Sequence, residues 1–146
     1  MMTIVDRSML VGYSAQQMYA LVEDVESYPQ FLPWCERAEV ALREPGRTVA
    51  TLHLNFHGLR QHFTTENANQ PHTRIDMKLV SGTFRSLDGH WLFTALSEKA
   101  CKVEFSLRYQ FASRLLEKTA GQMFHRIADG FVEAFARRAE VKYGAT

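Results

Sequence analysis

Between Arg37 and Phe111 the chain carries no helical period and divides into short apolar runs. Turn chemistry separates them, at Pro45-Gly46, His57-Gly58, Asn67 to Pro71, Ser81-Gly82, Asp88-Gly89 and Ser97 to Lys99. Six consecutive strands with no crossover helix predict an antiparallel meander, because parallel neighbours need a long connection. The last run alternates most cleanly, with Val103, Phe105, Leu107 and Tyr109 set against Lys102, Glu104, Ser106 and Arg108. One face of this sheet is therefore buried and the other wet.

The flanking segments supply the cover. Residues 4–11 read as a first strand, and Ser14-Ala15-Gln16-Gln17 reads as a capping box opening a helix from Ala15 to about Asp24. The apolar stretch Val25 to Cys35 holds Pro29 and Pro33, which predict a short second helix near Pro29 to Leu32 in place of a continuation. Ser113 caps one final helix to about Tyr143, roughly 45 Å long. Its apolar stripe is Leu116, Ala120, Met123, Phe124, Ile127, Ala128, Phe131, Val132 and Phe135. The predicted fold is α+β, a curved seven-stranded antiparallel sheet wrapped around a long C-terminal helix, with two short helices after the first strand, all in one domain over residues 1–146.

One helix stripe covers seven strands only if the sheet bends, and the bend leaves a wedge under the helix. The residues expected to line that wedge are Phe56, Phe63, Phe84, Trp91, Phe93, Phe105, Tyr109, Met123, Phe124, Ile127 and Phe131. Small-molecule sites are mostly apolar with a few polar groups, so Arg85, Tyr28 and Tyr109 are the expected donors at its mouth. Tyr28, Phe31, Leu32 and Trp34, in the proline-bounded segment, are the expected lid. Close packing of the same aromatics into ordinary core is the plainer alternative.

Charge and reactive groups narrow the function. The 146 residues include 17 basic and 16 acidic side chains, a formal net charge of +1, so no global field draws the chain to DNA or an anionic membrane. Cys35 and Cys101 are the two cysteines and lack paired spacing, which fits a reduced cytoplasmic compartment. The N-terminal residues Met1 to Arg7 show early charge and no long apolar run, which predicts neither a signal peptide nor a membrane span. His53, His57 and His62 lack a completing ligand and read as solvated strand residues, so no metal is expected. Cys35 follows Trp34 in an apolar stretch and reads as a packed thiol. Asp24 and Glu26 read as solvated carboxylates, and Arg85, Asp76 and His90 form no recognisable acid–base set. The expectation is a non-enzymatic binder without a cofactor. Arg126, Arg137, Arg138 and Lys142 gather on the last helix, balanced by Asp129, Glu133 and Glu140.

The segment Val25 to Cys35 is similar to a valine-x-x-tyrosine-proline-x-phenylalanine-leucine-proline-x-cysteine pattern. Leu79-Val80-Ser81-Gly82-Thr83-Phe84 and Leu87-Asp88-Gly89-His90-Trp91-Leu92-Phe93 support it. On these motifs the chain, from about Thr3 to Tyr143, resembles the coenzyme Q-binding START family of the polyketide cyclase/dehydrase superfamily. That group also holds RatA-like ribosome association toxins and proteins labelled oligoketide cyclases. Thr83 departs from the pattern, where relatives commonly carry proline. The resemblance implies a START-like helix-grip fold and a hydrophobic ligand, ubiquinone or a related prenylquinone or lipid, carried in support of respiratory electron transport. It implies in addition transient membrane contact and a cytoplasmic location peripheral to the inner membrane. Its toxin members imply another partner, the large ribosomal subunit, and a block on subunit joining. Its cyclase members imply a polyketide substrate.

Overall fold

The computed structural model describes residues 2–145. Seven strands form one antiparallel sheet in the order β1-β7-β6-β5-β4-β3-β2. They are β1 (Thr3–Val11), β2 (Cys35–Glu44), β3 (Arg47–Phe56), β4 (Leu59–Gln70), β5 (Arg74–Gly82), β6 (Phe84–Ser97) and β7 (Ala100–Phe111). The expected meander is present, and β1 returns to pair with β7 along its whole length, Val5 opposite Leu107 and Val11 opposite Cys101.

Helix α1 (Ala15–Glu23) follows β1 and opens on the expected capping box, in which the Gln17 amide donates to Ser14 Oγ and the Ser14 amide to Gln17 Oε1. The second helix is 3-10, spans Val25–Gln30, and begins four residues earlier than Pro29. Pro29 sits inside it without an amide to donate, while Ser27 N donates to Asp24 O before it and Phe31 N to Tyr28 O after it, so the 3-10 turns on either side of the proline still close.

Three sequence readings change. The C-terminal helix is two helices, α2 (Arg114–Asp129) and α3 (Phe131–Tyr143), divided at Gly130. The Gly130 amide donates to both Arg126 O and Ile127 O, at 3.0 and 3.2 Å, so the last turn of α2 tightens and the chain starts afresh. Helical periodicity continues through the break, which is why the pattern reads as one element. Asp88-Gly89 is not a turn but the middle of β6, where Gly89 pairs with Met77 and Leu107. A Cβ on Gly89 would lie 2.3 Å from Ser106 O, so glycine here permits a close strand approach in the bent sheet. The turn expected from Asn67 is shorter and later, since β4 runs to Gln70 before residues 71–73 reverse the chain.

At Thr83 the side chain donates to Gln61 Oε1 and His62 O, while its amide donates to His62 O, so a threonine holds the β5–β6 corner onto β4. The core lies between the concave face of the sheet and the helices. Ala120, Phe124 and Ala128 of α2 and Val132, Phe135 and Ala139 of α3 are the buried stripe, and the alanines let the helices approach closely. Arg7 of β1 meets Asp129 at 2.6 Å and ties the end of α2 to the sheet edge. No helix is long and apolar enough to cross a membrane among the described residues.

Candidate functional site

An apolar cavity of about 70 Å³ lies between the concave sheet, the 3-10 helix and the two C-terminal helices. Seven of the expected residues line it: Tyr28, Leu32, Phe63, Trp91, Phe105, Phe124 and Phe131. Phe105 comes inward because β7 alternates, and its ring meets Trp91 at 4.6 Å and Phe131 at 5.2 Å. Phe135 completes the ceiling, 5.2 Å from Trp91 and 5.4 Å from Tyr28.

The other expected residues stand elsewhere. Phe84 backs the wall behind Phe63 and Phe124, at 5.3 and 4.9 Å, and Phe93 stacks behind Trp91 against Tyr19. Phe31 packs on Phe135 and Trp34 on Phe131, both from outside the cavity. Phe56 is buried at the end of β3, and Met123 and Ile127 are half-buried on α2; none of the three borders the space. Tyr109 closes the opposite side of Phe124 and faces a separate groove with Thr3, His125 and Arg126.

The polar end differs from expectation. Arg85 is exposed and does not line the cavity. Tyr28 does, but its hydroxyl donates to Val22 O, and burial pushes its ionisation far above the usual tyrosine range. The polar side chains that line the cavity beside Tyr28 are Thr65 and Asn67 of β4, joined by a bond of 2.9 Å from Thr65 Oγ1 to Asn67 Oδ1. Sequence reasoning passed over them because β4 loses its apolar alternation after Phe63, although Phe63, Thr65 and Asn67 share the inner face. Val25, Ala50, Leu52, Met77, Leu87 and Leu107 fill the remaining walls, and no charged side chain is among the lining.

The other constellations resolve simply. His53 and His62 face each other across β3 and β4 with rings 5.8 Å apart, on the face away from the cavity, and His57 stands in the adjoining turn. His53 is bonded to Glu39, and no cluster of three or more His, Cys, Asp or Glu converges among the described residues. Cys35 is buried, and desolvation raises its thiol to about 11, so it is protonated at neutral pH, where nucleophilic chemistry needs the thiolate.

The first half of the lid segment and the residues before it are latched to the neighbouring elements. Arg43 of β2 donates to Glu26 at 3.0 Å, Arg138 of α3 donates to Gln30 at 2.7 Å, and the Arg138 guanidinium lies 5.0 Å over the Phe31 ring. These contacts are exposed, while Leu32, which follows them, is 2% exposed. The segment is thus a plug held by surface latches.

The family model described as "Polyketide cyclase / dehydrase and lipid transport" matches residues 11–136. The chain belongs to this family. Within it, the chain is similar to the ribosome association toxin RatA of Escherichia coli (strain K12), 43% identical over 97% of this chain and 89% of that protein. It is similar to the mitochondrial coenzyme Q-binding protein COQ10 homolog B of Xenopus laevis, 30% identical over 94% of this chain and 58% of that protein. Among solved structures, a START superfamily protein from Mycobacterium smegmatis aligns with a TM-score of 0.75 at 21% identity, over 94% of this chain and 97% of that one. The helix-grip fold expected from the sequence is the family's fold.

Proposed function

We propose that this chain binds a neutral, largely apolar molecule, a prenylated quinone or similar lipid, in the cavity under α2 and α3. The observation that carries the reading is the lining: a ring of aromatic and aliphatic side chains with no charge and two neutral polar groups. Burial of an isoprenoid body is worth about 25 cal/mol per Å². The role is binding in support of respiratory electron transport, not catalysis, because the protonated Cys35 and the charge-free lining supply neither nucleophile nor acid–base pair. At about 70 Å³ the cavity is well under the roughly 300 Å³ at which drug-sized pockets begin, so the ligand enters as the segment Tyr28 to Trp34 swings out. The similarity to the coenzyme Q-binding protein supports the quinone class. Lipid extracted from freshly purified protein and identified by mass spectrometry tests the reading. A stoichiometric prenylquinone or other neutral lipid is expected, and extracts no richer than those of an unrelated control protein would contradict it.

A second reading is association with the large ribosomal subunit, and the stronger similarity, to the RatA toxin, favours it. The surface offers a site of its own for it. Arg114, Lys118, His125 and Arg126 are exposed on α2 and make no ion pair among the described residues, a stripe suited to phosphate contact. Lys118→Glu with Arg126→Glu is then expected to abolish salt-sensitive co-sedimentation with large subunits. Binding unaffected by the double charge reversal would remove α2 as the docking face.

A further inference from the structure

Among the described residues the buried polar ones are Thr48, Thr65, Asn67 and Thr83, and three of the four lie on the inner faces of β3 and β4. Thr83 holds the β5–β6 corner and Thr48 accepts from Asn69 Nδ2, so both have structural partners. Asn67 differs. It is 9% exposed, its side chain shares the inner face with Met77 and Thr48, and it lines the cavity. Thr65 Oγ1 donates to its Oδ1, and Nδ2 has no acceptor among the described residues. Among the described residues Ser86 Oγ is the sealed side-chain polar atom without a partner, so the Asn67 amide nitrogen keeps some accessible surface, and Asn67 borders both the cavity and an outer groove with Arg47, Glu66, Asp76 and Lys78. An amide donor at the cavity wall without a protein acceptor is free to bond a ligand oxygen, and a ligand that seals it without bonding it incurs the desolvation penalty.

Resting on the ligand-binding reading above, we infer that Thr65 and Asn67 form the specificity-determining end of the cavity, selecting an apolar molecule with a neutral carbonyl or ether acceptor. Thr65 engages one atom of the amide and thereby aims the other. Nδ2 then donates to the ligand oxygen, while the ring and tail lie against Trp91, Phe105 and Phe135. A carboxylate is refused, because no cation lines the cavity to offset its lost hydration. A plain hydrocarbon leaves Nδ2 unpaired and gains nothing from the site. A pocket built to hydrogen-bond rejects the analogue lacking the group more strongly than a greasy pocket rejects a change of size.

The test compares decylubiquinone, decylbenzene and decanoate by titration calorimetry on the full chain and on Asn67→Leu, which keeps the volume and removes the donor. Wild type is expected to bind decylubiquinone and to bind decanoate weakly or not at all. Asn67→Leu is expected to lose about tenfold in affinity for decylubiquinone, the equivalent of one hydrogen bond, with decylbenzene unchanged. Thr65→Val, which disorients the amide without changing shape, is expected to show a smaller loss confined to the quinone, with Thr65→Ser restoring it. This variant also serves if Asn67→Leu does not fold. Equal loss for both apolar probes, or no loss for either, would overturn the polar selectivity while leaving the cavity as the binding site. Wild type that binds none of the probes would instead overturn the ligand-binding reading itself, and this inference with it.

Discussion

Phe135 touches Tyr28, Phe31 and Trp91 and is 1% exposed, so it joins the lid, the ceiling and the floor in one side chain. Phe135→Ala is expected to destabilise by about 3–5 kcal/mol in urea titrations. Phe131→Ala should cost less, because Phe131 is only half-buried and the Trp34 ring stacked on it is itself partly wet. Sequence periodicity placed both on one stripe but could not rank them, since burial depends on where α2 ends. The thiols make a pH prediction. Burial raises Cys35 and Cys101 from 9.0 to about 11, so between these values the unfolded chain has released protons that the native chain still holds. Their contribution is complete below pH 9 and is lost as pH rises toward 11. A denaturant midpoint that falls across this window in wild type should fall less in Cys35→Ala; an identical slope would show that the thiol contributes nothing.

At the scale of elements, the strand, capping-box helix and meander were legible because period and turn chemistry are local. The break at Gly130 was not. Gly121 lies inside α2 while Gly130 divides α2 from α3, so a glycine inside a continuing apolar stripe does not by itself signal whether the helix passes through it. Asp88-Gly89 misled for the converse reason: turn chemistry and a close strand crossing both call for glycine. Gly89→Ala is expected to cost at least about 2 kcal/mol or prevent folding, because the new Cβ would meet the Ser106 carbonyl backbone. A urea midpoint near wild type would mean that β6 and β7 can separate locally. The 3-10 lid makes the opposite prediction. Replacing Phe31 and Trp34 together by alanine removes contacts that lie outside the cavity, so ligand release measured by stopped flow should accelerate while the midpoint falls less than for Phe135→Ala. Unchanged release with a large loss of stability would make the segment core and not a gate.

For the whole molecule, one helix stripe over seven strands predicts a space between sheet and helices, and the alternation of β7 predicts which aromatics face it; the structure holds a cavity there, with Trp91 and Phe105 in its lining. The polar end was not legible, because Arg85 is a stronger sequence signal than Thr65 or Asn67, yet strand direction sends Arg85 to solvent and the quieter residues inward. Two surfaces then stand side by side, a cavity whose lining carries no charge and a basic stripe on α2 that makes no ion pair among the described residues, and each carries one of the two proposed readings. The interior claim is tested most directly by the thermal midpoint and tryptophan emission of the purified, delipidated chain with saturating decylubiquinone, since Trp91 lines the cavity and Trp34 stacks on its ceiling. At about one hundred times the dissociation constant, native-state binding adds about 2.7 kcal/mol, which for a chain of this size raises the midpoint by roughly 5–10 °C, with emission quenched in parallel. A midpoint and an emission spectrum that both stay where they were without quinone would contradict the claim.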